Sequence, residues 1–126
     1  MGRYRVLLVD VDPQLLEKYS SLLAHAGYKV EGCTDPGNCL FRVRKFHPDC
    51  VVLDFPAAAG SETLSWLANQ MPETVNVLCA GEDEKLSASH LVRCGVSKVL
   101  QKPFSPEAFL DGIQQAIAER HFRRAA

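Results

Sequence analysis

The sequence predicts an α/β fold of five βα units: one parallel sheet with strands in the order 2-1-3-4-5 and helices on both faces. Three observations carry that prediction. Short apolar runs alternate along the chain with segments whose apolar residues recur at helical spacing. The runs are continuous rather than alternating, as expected of strands buried on both sides. Three helical segments open on the same punctuation, Asp12-Pro13, Asp35-Pro36 and Ser105-Pro106. There a capping oxygen satisfies one orphan N–H and proline removes another. Regular βα alternation implies right-handed crossovers over a parallel sheet, and 2-1-3-4-5 is the common order for five strands.

The elements follow in order. Arg5 to Val9 is the first strand. Leu15, Leu16, Tyr19, Leu22, Leu23 and Ala26 share one face of the first helix, which Gly27 can end. Tyr28 to Cys33 reads as the second strand, and Leu40, Val43 and Phe46 mark the second helix. Cys50 to Leu53 is the third strand; Leu64, Leu67 and Met71 mark a third helix stopped by Pro72. Val75 to Cys79 is the fourth strand, and Leu86, Leu91 and Val92 place a helix closed by Gly95. Val96 to Gln101 is the fifth strand, and Phe109, Ile113, Ala116 and Ile117 define the last helix. Gly112 inside that helix costs about 1 kcal/mol relative to alanine, which implies a packing reason for it.

Composition narrows the function classes. The 126 residues make one domain, and 47% hydrophobic with 23% charged residues is ordinary for a soluble globular chain. Fourteen Lys and Arg against 15 Asp and Glu leave a net charge of −1, which argues against binding nucleic acid through charge. No apolar run is long enough for a membrane span, and no signal peptide opens the chain. The five cysteines form no CxxC pair, so neither a disulfide framework nor a zinc site is suggested, and a cytoplasmic location is expected.

In this architecture ligand chemistry collects at the C-terminal ends of the strands. Asp10, Asp54, Cys79 and Lys102 stand at the ends of strands 1, 3, 4 and 5. Any one of them has an ordinary reading as a turn or cap residue. Together they bring two carboxylates, a thiol and an ammonium to one edge. Two hard oxygen donors suit Mg²⁺, and an adjacent lysine suits added negative charge. A carboxylate so flanked can accept a phosphoryl group, a transfer that depends on positioning and charge neutralisation.

Val9-Asp10, Leu53-Asp54 and Lys102-Pro103-Phe104, in this order and on this pattern, resemble the receiver domain of two-component response regulators. The resemblance covers residues 4–120, leaving 121–126 as a basic tail or the start of a linker. It implies a flavodoxin-like fold and a role in signalling rather than classical enzymology, with at most weak self-dephosphorylation. It further implies that Asp54 is the phosphoacceptor, loaded by a histidine kinase or phosphotransfer protein. Asp10 and Asp54 would hold Mg²⁺, Lys102 would contact the phosphoryl group, and the Lys102–Pro103 bond would be cis.

Four positions depart from the family pattern. Val11 stands where a second acid is usual, while Asp12 reads first as a helix cap. Fewer carboxylates should weaken Mg²⁺ binding. The segment Asp54-Phe55-Pro56-Ala57-Ala58-Ala59-Gly60 lacks two residues before its proline, which unsettles the carbonyl that normally completes the metal shell. Cys79 replaces the Thr or Ser whose hydroxyl bonds the phosphoryl group, and a thiol is a weaker donor. Its ordinary reading is a small buried hydrophobe, and the sharper one a redox sensor. Val99 replaces the aromatic that usually reports phosphorylation. A phosphorylation-independent interaction module is therefore the alternative reading. A flavin carrier fits poorly, because Asp10-Val11-Asp12-Pro13-Gln14 lacks a phosphate-cradling loop. By resemblance, the face of the fourth helix, fifth strand and fifth helix (Lys85, Ser89, Arg93, Lys98, Gln101) would bind a partner or a second copy; its plain reading is a solvated polar face. Trp66 reads either as core or as a partly exposed anchor.

Overall fold

A computed structural model describes residues 3–54, 57–81 and 88–125, without the side chains of residues 57–61, 88, 90 and 121–125. Strands β1 (Arg5–Asp10), β2 (Lys29–Cys33), β3 (Cys50–Asp54), β4 (Val75–Ala80) and β5 (Lys98–Gln101) alternate with helices α1 (Pro13–His25), α2 (Cys39–Phe46), α3 (Ala57–Gln70), α4 (Ala88–Arg93) and α5 (Pro106–Ala125). All strand pairs are parallel, in the order β2-β1-β3-β4-β5. The predicted architecture is the observed one.

The capping logic holds at two of the three Pro-marked starts and changes at one. Asp12 Oδ1 accepts from Gln14 N at 2.9 Å, and Ser105 Oγ accepts from Ala108 N at 3.0 Å. Each such cap stabilises its helix by about 1 kcal/mol. Asp35 caps a 3₁₀ turn, Pro36–Asn38, before α2 begins at Cys39. Gly37 and Asn38 are poor helix formers, so the α-helical register waits until they are passed. α1 closes over Gly27 at φ 101° and α4 over Gly95 at φ 76°, left-handed positions that favour glycine. β5 is shorter than expected: Val96 N bonds Leu91 O and so belongs to the closure of α4. Leu86 and Lys85 lie outside the described residues.

The period of two along each strand builds two cores. Leu7, Val9, Val51, Leu53 and Leu78 face one side, against Val43 and Phe46 of α2 and Leu64 and Leu67 of α3. Trp66 packs on this core half-buried, with the Arg44 guanidinium 5.2 Å from its ring centre. Val6, Leu8, Cys50, Val52, Val77, Cys79 and Leu100 face the other side, against Leu23 of α1 and Phe109, Ile113, Ala116 and Ile117 of α5. Gly112 has its packing reason: a Cβ there would overlap the Leu100 side chain. α5 continues through the basic residues to Ala125, so residues 121–125 extend the helix. Among the described residues no helix is long and apolar enough to cross a membrane.

Candidate functional site

The same period carries the polar site. Asp10 follows Val6 and Leu8 on the α1/α5 face, Asp54 follows Cys50 and Val52, Cys79 follows Val75 and Val77, and Lys102 follows Leu100. Asp10 and Asp54 are direct partners in the β1–β3 register. All four residues therefore meet at the C-terminal end of one sheet face. Strand β4 runs one residue past Cys79, to Ala80.

Lys102 Nζ donates to Asp54 Oδ1 at 2.5 Å. The Lys102–Pro103 bond is cis, and Lys102 N donates to Ala80 O at 2.8 Å. Asp54 is nearly enclosed, with 8% of its side chain exposed against 36% for Lys102. Burial alone would lower the lysine, but its bond to Asp54 and that charge outweigh burial and hold the ammonium above its usual range.

Asp10 is buried, and its Oδ1 accepts from Asp12 N at 2.9 Å. Its Oδ2 is buried without a hydrogen-bond partner among the described residues. Burial pushes the carboxyl up to about 6; the Asp12 N–H opposes the rise and the Asp54 carboxylate adds to it. An enclosed carboxylate oxygen beside a second carboxylate is what a hard cation satisfies, so this pair fits Mg²⁺. Val11 is 57% exposed and brings no ligand, and Asp12 is spent as a cap. Among the described residues no group of three metal-ligating side chains forms. The segment holding Phe55 and Pro56 lies outside the described residues.

Cys79 is buried; burial first, then the Asp54 carboxylate, pushes its thiol up to about 12. A thiol held protonated is a poor nucleophile, which favours the packing reading over redox sensing. Val99 sits half-buried on β5, with no ring to swing there.

Two features escaped the sequence reading. Tyr19, on the core face of α1, packs its ring against Phe104 and Phe109, and burial first, then the Asp54 carboxylate, holds its phenol above the usual range. Helical spacing gives the face of a ring and not the rings it meets. Gln101, expected on the partner face, turns its amide to the end of β4, donating to Gly81 O at 2.9 Å and Ala80 O at 3.3 Å. Lys98 of that face is bonded to Gln115 of α5 at 2.9 Å.

Comparison with known proteins bears on this geometry. The response regulator receiver domain family matches residues 6–114. The chain is similar to the C4-dicarboxylate transport transcriptional regulatory protein DctD of Pseudomonas aeruginosa, 32% identical over 118 residues that cover 92% of this chain and 26% of that protein. It is also similar to Protein Rrf1 of Nitratidesulfovibrio vulgaris, 31% identical over 116 residues, 90% of this chain and 83% of that one. The chain spans only about a quarter of the length of DctD and of the PgtA regulator of Salmonella typhimurium, at 26% and 28%. Among solved structures, a CheY-like receiver domain protein from Methanospirillum hungatei JF-1 superposes with TM-score 0.87 at 22% identity, covering 97% of this chain and 99% of that one. The chemotaxis response regulator CheY4 of Vibrio cholerae gives 0.79 at 26% identity, covering 91% and 99%. By its fold, the residues at its strand ends and this family match, the chain belongs to the response regulator receiver domains of two-component signalling.

Proposed function

We propose that Asp54 accepts a phosphoryl group from a histidine kinase or phosphotransfer protein, with Mg²⁺ held weakly by Asp10 and Asp54. The carrying observation is the juxtaposition at the sheet edge: Lys102 Nζ on Asp54 Oδ1, with the unpartnered Asp10 Oδ2 on the strand alongside. A bound Mg²⁺ would supply charge neutralisation for the incoming phosphoryl oxygens. Lys102 holds Asp54 in place before transfer and is placed to pair with the added negative charge. The enclosure of Asp54 limits water at the acceptor, which fits slow self-dephosphorylation at most. A cytoplasmic location and a protein partner follow from this role. The partner face keeps Ser89, Arg93 and Val92 exposed on α4, with Val92 at 76%.

Incubation with acetyl phosphate and Mg²⁺, read by intact-mass spectrometry, should add one phosphoryl group that Asp54→Asn abolishes. No adduct from either a small donor or a kinase would sink the assignment. A second reading, a phosphorylation-independent interaction module, is favoured by the exposed Val11 in place of an acid and by the protonated Cys79. Under that reading Asp54→Asn leaves the cellular phenotype intact.

A further inference from the structure

Helix α2 carries a surface that neither the core nor the strand-end site uses. Its buried side is Cys39, Val43 and Phe46. Phe41 stands away from these and is 60% exposed. Phenylalanine is only a middling helix former, so propensity does not ask for it there. Lys45, one turn on, holds its ammonium 5.3 Å from the centre of the Phe41 ring. Arg44 holds its guanidinium over half-buried Trp66 of α3. Two neighbouring exposed cations thus each rest on a ring. Arg42 is paired with Glu31 at 2.8 Å, but among the described residues Arg44 and Lys45 form no ion pair. The helix has three basic residues and no acidic one, while the chain carries −1, so everything outside α2 sums to −4. The helix dipole favours cations in a last turn, which accounts for Arg44 and Lys45 by sign but not for the exposed ring beside them.

We propose that this surface docks a partner protein through a segment that carries two carboxylates beside an apolar side chain. Phe41 takes the apolar group, and Arg44 and Lys45 take the carboxylates. A guanidinium lying on a ring turns its N–H edge outward, the edge that grips a carboxylate. Exposed aromatics and arginine are the residues that protein interfaces enrich. Nucleic acid fits less well: two unpaired cations neutralise few phosphates, and a chain that is −4 elsewhere repels a polyanion. α2 lies over β1 and β2, at the other edge of the sheet from β5, so this surface is separate from that of α4 and leaves it free.

The test uses the full chain, ¹⁵N-labelled, and a short synthetic peptide of glutamates interrupted by leucine. Trp66 is the one tryptophan in the sequence, so its indole N–H resonance reports on the surface directly. At low salt the peptide should move that resonance and the α2 amides and leave β5 and α5 in place; high salt should weaken the effect. Arg44→Gln with Lys45→Gln should weaken binding about tenfold, the worth of two exposed ion pairs. Phe41→Ala should weaken it about tenfold through lost apolar contact. All three side chains are exposed, so the substitutions spare the core. If Phe41→Ala does not fold, the charge variant and the wild-type shifts decide. Asp54→Asn should bind the peptide as wild type does, which keeps this proposal distinct from the acceptor assignment. No shift at low salt, shifts away from α2, or a charge variant that binds as tightly as wild type overturns the proposal. A duplex DNA oligonucleotide that moves the same resonances at lower concentration than the peptide overturns it in favour of nucleic acid. Self-association in sedimentation velocity that the charge variant abolishes overturns it in favour of a second copy.

Discussion

Lys102 Nζ lies 2.5 Å from Asp54 Oδ1, joining the loop after β5 to the end of β3 across the intervening strand β4. The carboxylate is nearly enclosed and the ammonium partly exposed. Removing the cation leaves a buried negative charge without its partner, a larger loss than an exposed pair would suffer. Lys102→Ala should therefore lower stability by about 1–2 kcal/mol in urea unfolding at pH 7, a value discounted for the exposure of the lysine. Asp54→Asn in the same background should recover most of that loss. A Lys102→Ala variant as stable as wild type would show that water reaches Asp54 freely.

Asp10 gives the protein a pH dependence of definite sign. Its carboxyl is raised to about 6 in the folded protein from 3.8, so the folded state keeps a proton that the unfolded chain releases. Stability from this group is fully present below about pH 4 and is lost as pH rises through about 6. Metal-free Asp10→Asn should be more stable than wild type at pH 7 by about 2–3 kcal/mol, and nearly equal to it near pH 4. Thermal melting at the two pH values checks it. Mg²⁺ should raise the melting temperature of wild type at pH 7 and leave Asp10→Asn unmoved.

Gln101 ties the exit of β4 to β5 through its side-chain amide. Gln101→Ala removes donors from the Gly81 and Ala80 carbonyls, while Lys102 N still bonds Ala80 O. The expected cost is about 0.5–1.5 kcal/mol. Its signature is faster amide hydrogen exchange at Lys102 with exchange in β1 unchanged. Equal exchange at both places would show that the amide bonds add nothing to backbone pairing.

Gly112→Ala sets helix propensity against packing. Alanine is favoured in a helix by about 1 kcal/mol, but its Cβ would overlap Leu100. Overpacking costs about 1–3 kcal/mol, so the net effect should be destabilising. Leu100→Val should relieve part of it, and a double-mutant cycle between the two positions should show coupling above about 0.5 kcal/mol.

All five thiols are buried, and burial raises those of Cys39 and Cys79 to about 12. Ellman's reagent at pH 8 should report almost no fast thiol in native protein and five after denaturation. A fast-reacting Cys79, identified by peptide mapping, would revive the redox reading.

Much of this was legible in sequence for a simple reason. Continuous runs such as Val6–Val9 and Val51–Leu53 belong to strands covered on both sides, and only a few topologies cover a sheet that way. Asp10, Asp54 and Lys102 were legible because strand ends converge by topology alone. What stayed hidden depended on side-chain reach. Gln101 was placed on an outer face, yet its amide turns to the end of β4. The spacing of Tyr19 marked it as core without saying which rings it meets. Asp35-Pro36 signalled a helix start, but Gly37 and Asn38 intervene, and local propensity delayed the α-helix.

The alternation that stacks Val6 and Leu8 beneath Asp10, and Cys50 and Val52 beneath Asp54, has a consequence for how the molecule tolerates change. A slip of one residue in either strand would bury a carboxylate against α2 and α3 and expose an apolar side to the pocket. Correct burial and a complete pocket are thus one event, and a chain that has packed its core has already aligned its acids. Mutational scanning of β1 and β3 should find single-residue insertions intolerable for solubility as well as signalling, whereas isosteric changes at Asp10 and Asp54 spare the first and abolish the second.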